Sequence, residues 1–250
     1  MEALVRSGIG ALTLIDADDI CIGNANRQSH AMDGNYGRAK VAVLAERARL
    51  INPECAVNSL ECFVTPANLR ETIAREFDLV LDCCDAFRTK VEMIALCRRR
   101  KQPLVVCGSA GGRVDPTRIV VRDLSRTEHD ALLAMIRRKL RAEFNFPRGP
   151  ERYFSVPAVY SLENVRYPQA DGSVRGLRPV GVDAGRLDCG EGLGAVMHVT
   201  AAFAMAAVAT ALERLLRAPG PTTRSDDAGS GADTQQAACI EGGGARDLGG

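Results

Sequence analysis

The sequence predicts an α/β fold: a Rossmann-like, mostly parallel sheet with helices on both faces, followed by a smaller α+β C-terminal part. Three observations carry that expectation. Short apolar runs at Ala11–Asp16, Phe77–Asp82 and Leu104–Cys107 alternate with stretches of helical spacing, as βαβ units require. Acids close the first two runs, at Asp16 and Asp82, with Asp85 just beyond, at the strand ends where open parallel sheets bind ligands. After residue 124 the alternation gives way to a basic amphipathic stretch and a proline- and glycine-rich insert, Phe146–Pro150.

Taken in order, Gly8-Ile-Gly10 precedes the first strand and reads as the turn ending a short helix. Ala11–Asp16 is a strand, and a loop carrying Asn24, Asn26 and Arg27 leads to a helix over Arg38–Leu50. Cys55–Leu60 reads as a strand. Thr65-Pro66 is expected to cap a helix reaching about Glu76, with proline in its first turn. Phe77–Asp82 is a buried strand, Phe87–Arg100 a helix and Leu104–Cys107 another buried strand. Thr117–Asp123 reads as a strand turning toward an antiparallel part of the sheet, and Glu128–Phe144 as a helix. Arg152–Val165 and Gly172–Val182 form short strands or loops, and a Cys189–Gly194 turn feeds the last helix.

That last stretch, Val196–Leu216, is apolar largely through alanine and contains His198, Glu213 and Arg214. It is therefore expected to be a buried core helix, without stable membrane insertion. From Ala218 the composition turns to Gly, Ser, Pro, Asp and Gln, which cannot bury enough surface to offset the entropy of ordering. The expected division is a folded domain at 1–217 and a disordered tail at 218–250.

A length of 250 residues suits one substantial core, and 46% hydrophobic with 25% charged residues is ordinary for a globular protein. A net charge of +1 neither demands nor excludes a nucleic-acid partner. Two basic clusters, Arg98-Arg-Arg-Lys101 and Arg137-Arg-Lys139 with Arg141, suit an RNA backbone, although a solvated helix face is the ordinary meaning of such runs. Nine cysteines without secretory features indicate a reducing compartment: the cytoplasm, or a mitochondrion should a targeting segment precede this chain. No paired Cys-x-x-Cys motif supports a zinc site, and His30, His129 and His198 are scattered. Cys83, Cys84 and Cys107 lie in or beside apolar strands and read as core thiols.

The chemistry-bearing series is Asp16-x-Asp18, Asn24-x-Asn26-Arg27-Gln28, Lys40 and Asp82-Cys83-Cys84-Asp85. Asp16 alone suits a ribose-binding acid of any dinucleotide fold. Arg27 and Lys40 tip the balance, because two fixed cations answer the charge that builds on an α-phosphate under attack. Asp85 stands where a carboxylate can hold Mg²⁺ on phosphates.

The series resembles the ubiquitin-activating-enzyme-like adenylating superfamily. The likeness runs from about residue 1 to about residue 217. Further motifs, Gly108-Ser-Ala-Gly-Gly112, Asp115-Pro-Thr117, Tyr167-Pro-Gln-Ala-Asp-Gly172 and Asp188-Cys-Gly-Glu-Gly-Leu-Gly194, narrow it to the tRNA threonylcarbamoyladenosine dehydratases. The resemblance implies ATP-dependent ring closure of threonylcarbamoyladenosine beside the tRNA anticodon, through an acyl-adenylate. It implies Arg27 and Lys40 as catalytic residues, and Asp16, Asn24, Arg27, Lys40 and Asp85 as ATP-binding residues with Mg²⁺ at Asp85. Cys189 is a further catalytic candidate, since superfamily relatives that handle ubiquitin-like proteins use a cysteine to accept the activated acyl group. Homodimers and association with cysteine desulfurase systems also follow from the likeness. The alternatives are an adenylyltransferase for a sulfur-carrier or ubiquitin-like C-terminus, and a non-catalytic scaffold. The family's opening strand and its Gly-x-Gly-Gly-x-Gly turn do not occur in these residues. Met1–Gly8 matches the tail of the helix after that turn, so the sheet is expected to lack its first strand and the chain to grip ATP weakly.

Overall fold

The computed structural model describes residues 1–169, 171–176 and 193–217, which fall in one compact unit, Met1–Ala218. Asp188, Cys189 and the tail at 218–250 lie outside the described residues. A short helix α1 (Glu2–Arg6) ends at Gly8, whose φ of +83° completes the turn expected for Gly8-Ile-Gly10. Strand β1 (Ala11–Ile15) follows, then α2 (Lys40–Ile51) and β2 (Ala56–Leu60), which pairs with β1 in parallel from Ala11↔Ala56 to Ile15↔Leu60.

A second, four-stranded sheet holds β3 (Val80–Asp82), β4 (Leu104–Cys107), β5 (Ile119–Asp123) and β6 (Pro157–Ser161), with helices α4 (Phe87–Arg100) and α5 (Ala131–Glu143) between them in sequence. Its order is β3-β4-β6-β5; β3, β4 and β6 run parallel, and β5 pairs antiparallel to β6, as its sequence suggested. The two sheets share no backbone ladder among the described residues. Side chains join them instead: Leu12 of β1 and Leu79 and Leu81 pack against one cluster, Leu4, Val208 and Ala211, and Ile15 packs against the main core.

That core lies under α4 and α5. Val91, Ile94, Ala95 and Leu96 of α4 and Leu133, Ile136 and Leu140 of α5 pack with Val80, Leu104, Val106, Ala158 and Tyr160. The recurrence at three and four positions places Leu133, Ile136 and Leu140 on one stripe of α5, whereas α4 is buried around most of its girth, Met93 to Cys97 without a break. Asp130 caps α5, its carboxylate accepting the Leu133 N–H at 2.8 Å. The other face of the sheet is covered by α6 (Met197–Arg217), which buries Val199, Phe203 and Ala207 against Val105 and Val159.

Several expectations change. The helix expected from Thr65 to about Glu76 is the single turn α3 (Leu69–Thr72). Asn68 takes the cap position, and its side chain accepts the Thr65 N–H at 2.8 Å, so Thr65 is bound within a turn before the helix. The carbonyls of this turn and the residues after it find partners farther along the chain: Arg100 donates to Arg70 O and Ile73 O, and Gln102 to Ala74 O and Phe77 O. Those bonds replace the ones a longer helix would make. The strand expected over Phe77–Asp82 is correspondingly shorter, pairing only at Val80–Asp82.

Helix α6 is buried along one stripe only, leaving Met205 and Leu216 exposed. Among the described residues it is the one helix long and apolar enough to cross a membrane, with a mean hydropathy of 1.5, yet its stripe is seated on the sheet. Residues 167–168 and 174–175 form a two-stranded hairpin, β7 (Tyr167–Pro168) and β8 (Val174–Arg175).

Candidate active site

The carboxyl end of β1 opens the loop that carries the predicted site residues. Asp16 accepts the Asp18 backbone N–H on its own carboxylate at 2.8 Å, folding the chain back as the strand ends. Asp18 then holds Lys40 twice. Its carbonyl accepts the Lys40 N–H at 3.0 Å, and its carboxylate meets the Lys40 ammonium at 2.6 Å. The Lys40 side chain is 10% exposed and that of Asp18 55% exposed, so a nearly buried cation has a partner reachable from water.

The intervening loop is closed by Ile20 N–H to Arg38 O at 2.9 Å and Gly37 N–H to Ile20 O at 2.8 Å. Within it Asn24 is buried, and its amide oxygen accepts the Cys21 N–H at 3.0 Å. Arg27 donates to Gly23 O at 2.7 Å and Asn26 Oδ1 at 3.1 Å. The loop is anchored from the far end of the chain: Asn26 donates to Ala195 O at 2.7 Å, and the Thr200 hydroxyl donates to Arg27 O at 2.9 Å. Arg27 thus sits on a backbone fixed from both sides.

His30 lies with Asp16 and Lys40. Burial and the neighbouring Lys40 ammonium lower its pKa, Asp16 opposes the shift, and Arg47 adds to it. Two buried polar atoms of this loop, Gln28 Oε1 and His30 Nε2, have no hydrogen-bond partner. Such atoms are uncommon in folded proteins and fit a loop built to receive a polar ligand.

A second polar cluster lies at the end of β3. Sequence reasoning missed its central residue, Lys90 on α4. The Lys90 and Asp82 side chains are both fully buried and paired at 2.8 Å, and Lys90 also donates to Cys84 O at 2.9 Å. Burial alone would lower the Lys90 pKa; the Asp82 carboxylate outweighs it and holds the ammonium above its ordinary range. An acid at a strand end followed eight positions later by a lysine among apolar helix positions was the available signal. Neither Asp82 nor Asp85 caps α4: Asp82 is committed to Lys90, and the cap position belongs to Ala86. Asp85 is exposed on the connection between β3 and α4.

Of the three thiols read as core, Cys83 and Cys84 are corrected, while Cys107 packs at the edge of the cluster under α6. Cys83 is exposed, while Cys84 and Cys107 are partly exposed, because each lies at or past the last paired residue of its strand. Cys84 donates its S–H to Asp82 at 3.0 Å; burial and the Asp82 charge push its pKa up. The Cys83 and Cys107 sulfurs are 3.9 Å apart. The hydrogen bond from Cys107 and the nearby Lys90 ammonium lower the Cys83 pKa to about 7.

The Gly108–Gly112 motif follows β4 and packs against α5 and the 165–166 and 193–194 segments. A Cβ on Gly108 would collide with the Asp130 carboxylate, which accepts the Ser109 N–H at 2.8 Å and caps α5. Gly112 has a φ of +68°, and a Cβ there would stand 2.7 Å from Arg166 O. The adjoining Arg113, also missed from sequence, is buried and donates to Glu163 O at 2.6 Å and His129 O at 2.7 Å. The structure therefore brings Asp16, His30 and Lys40 together, with Asn24 and Arg27 on the same loop. Asp85 comes from the other sheet, and Cys189 falls outside the described residues.

A model of the ThiF family matches residues 1–227. The chain belongs to the ThiF family. Its ThiF-family relatives include the tRNA threonylcarbamoyladenosine dehydratase of Escherichia coli, 45% identical over 215 residues, covering 86% of this chain and 80% of the relative. The enzyme of the same name from Haemophilus influenzae is 43% identical over 217 residues, covering 87% and 80%. A solved structure of E. coli tRNA N6-threonylcarbamoyladenosine dehydratase in complex with ATP superimposes with a TM-score of 0.73 at 41% identity. It covers 86% of this chain and 79% of that one. The Rossmann-like α/β architecture is that of this ThiF-family neighbour.

Proposed function

We propose that this chain is an ATP-dependent tRNA threonylcarbamoyladenosine dehydratase. The observation that carries the proposal is the loop from Asp16 to Lys40, with two anchored cations and two unpartnered buried polar atoms, in a chain 45% identical to an enzyme of that name.

In this reading the threonine carboxylate of the modified nucleoside attacks the α-phosphorus of ATP and pyrophosphate leaves. Arg27 and Lys40 stabilise the charge gathered on the phosphoryl oxygens, and they do so with little reorganisation because their backbones are already fixed. Lys40 exchanges its exposed partner, Asp18, for a phosphate oxygen. Asp16 receives the ribose hydroxyls, and the Asn24 amide nitrogen donates to phosphate. The urea-like nitrogen of the same substituent then attacks the activated carbonyl and AMP departs, a step within one molecule that gains from proximity.

No group of three or more His, Cys, Asp or Glu able to hold a metal occurs among the described residues. Mg²⁺ would be held by the Asp85 carboxylate with the phosphates and water as its remaining ligands. Cys189 is a candidate for a later acyl-handling role. The chain acts in the cytoplasm as a homodimer, alongside cysteine desulfurase proteins, with tRNA met by one of the two basic clusters.

The test is incubation with ATP, Mg²⁺ and tRNA bearing threonylcarbamoyladenosine, followed by mass spectrometry of gently digested nucleosides. A product lighter by one water, with AMP and pyrophosphate in equal amounts, is expected. An unchanged nucleoside with adenylation of a ubiquitin-like C-terminus would assign the chain to the adenylyltransferases instead.

A further inference from the structure

Beyond ATP chemistry, β3 and β4 place two thiols where they can react with each other. Asp82 of β3 is in register with Val106 of β4, so the next residues along, Cys83 and Cys107, are neighbours across adjacent parallel strands. Neighbouring strands are about 4.7–4.9 Å apart, inside the 4.4–6.8 Å range of Cα separations that disulfides span. The sulfurs stand 3.9 Å apart, close enough for side-chain rotation to bring them to bonding distance. The two thiols are unequal in setting. Cys83 is exposed, whereas Cys107 is packed at the edge of the cluster formed by Val105, Val159 and Phe203. Cys84, next in sequence, is engaged with Asp82.

We propose that Cys83 and Cys107 form a peroxide-reactive dithiol in which Cys83 is attacked first by oxidant and Cys107 resolves it. The Cys83 sulfur attacks one oxygen of a hydroperoxide, the O–O bond breaks, and with hydrogen peroxide the leaving hydroxide takes the thiol proton as water. Cys83 is then a sulfenic acid. The Cys107 sulfur attacks the Cys83 sulfur, the S–O bond breaks, and hydroxide leaves with the Cys107 proton as a second water. Two thiols and one peroxide become one disulfide and two waters. The bond joins β4 to the residue at the start of the connection that carries Asp85. Transient disulfides of this kind are the ones met in reducing compartments.

The test treats the reduced wild-type chain with equimolar hydrogen peroxide, blocks remaining thiols with N-ethylmaleimide, and maps tryptic peptides. The expected first product links the peptide 76–88, which holds Cys83 and Cys84, to the peptide 102–113, which holds Cys107. Cys84→Ser should still form the link and Cys83→Ser should not. Cys107→Ser should leave Cys83 as a sulfenic acid that dimedone labels. A Cys83–Cys84 bond within one peptide, a link from Cys83 to any other cysteine, or over-oxidation of wild-type Cys83 without a link would overturn the proposal.

Discussion

Replacing Lys90 with methionine should destabilise the protein more than any other single change in the site. The ammonium and the Asp82 carboxylate are both fully buried and meet at 2.8 Å, and Asp82 Oδ2 already has no hydrogen-bond partner. In Lys90→Met the carboxylate keeps its burial and loses its counter-charge, and Cys84 O and Asp82 O lose a donor. Breaking a buried pair from one side typically costs about 3–5 kcal/mol. With a urea dependence of about 3 kcal/mol per molar, the unfolding midpoint should fall by about 1–1.7 M. The double variant Asp82→Leu with Lys90→Met removes both charges, and apolar replacement of a whole buried pair is often neutral. It should therefore recover at least half of the loss. Urea unfolding followed by circular dichroism decides the matter. A loss below about 1 kcal/mol for Lys90→Met, or a double variant as unstable as the sum of the single ones, would refute the reasoning.

Three other outcomes are expected. Gly108→Ala should cost about 1–2 kcal/mol in thermal or urea unfolding, because the new methyl displaces the Asp130 carboxylate from its cap on α5. His30 has a folded pKa below its ordinary value of about 6.5, so the unfolded chain binds the proton more readily. Stability should therefore fall as pH drops from about 6.5 through the depressed native value, and His30→Gln should flatten the unfolding midpoint across that window. Arg27→Ala should lower kcat by about two to three orders of magnitude with a smaller change in KM for ATP; a change confined to KM would make Arg27 a binding residue only.

The elements set by local pattern were legible in sequence. Phe87–Arg100 and Leu104–Cys107 have the expected bounds because their apolar spacing and flanking residues agree. The helix after Thr65 was not, since Arg100 and Gln102, distant in sequence, capture the carbonyls that would have continued it. Asp16 and Lys40 were visible as residue types at a strand end and a helix start, but their link through Asp18 depends on the folded loop. Lys90 was hidden because an isolated helical lysine ordinarily faces water, and only the position of Asp82 makes its burial stable. The thiols at 83 and 84 were misread because where pairing stops, rather than composition, sets their exposure.

The central claim is that this chain activates a carboxylate on the tRNA-borne nucleoside by adenylation. It is tested most directly by supplying substrate in which both oxygens of the threonine carboxylate are a heavy isotope, with ATP and Mg²⁺. Attack on the α-phosphorus followed by ring closure transfers one carboxylate oxygen to the departing nucleotide. Mass spectrometry should find one heavy oxygen in each AMP and none in pyrophosphate. Heavy oxygen in inorganic phosphate alongside ADP, or unlabelled AMP accompanying a closed ring, would contradict the account.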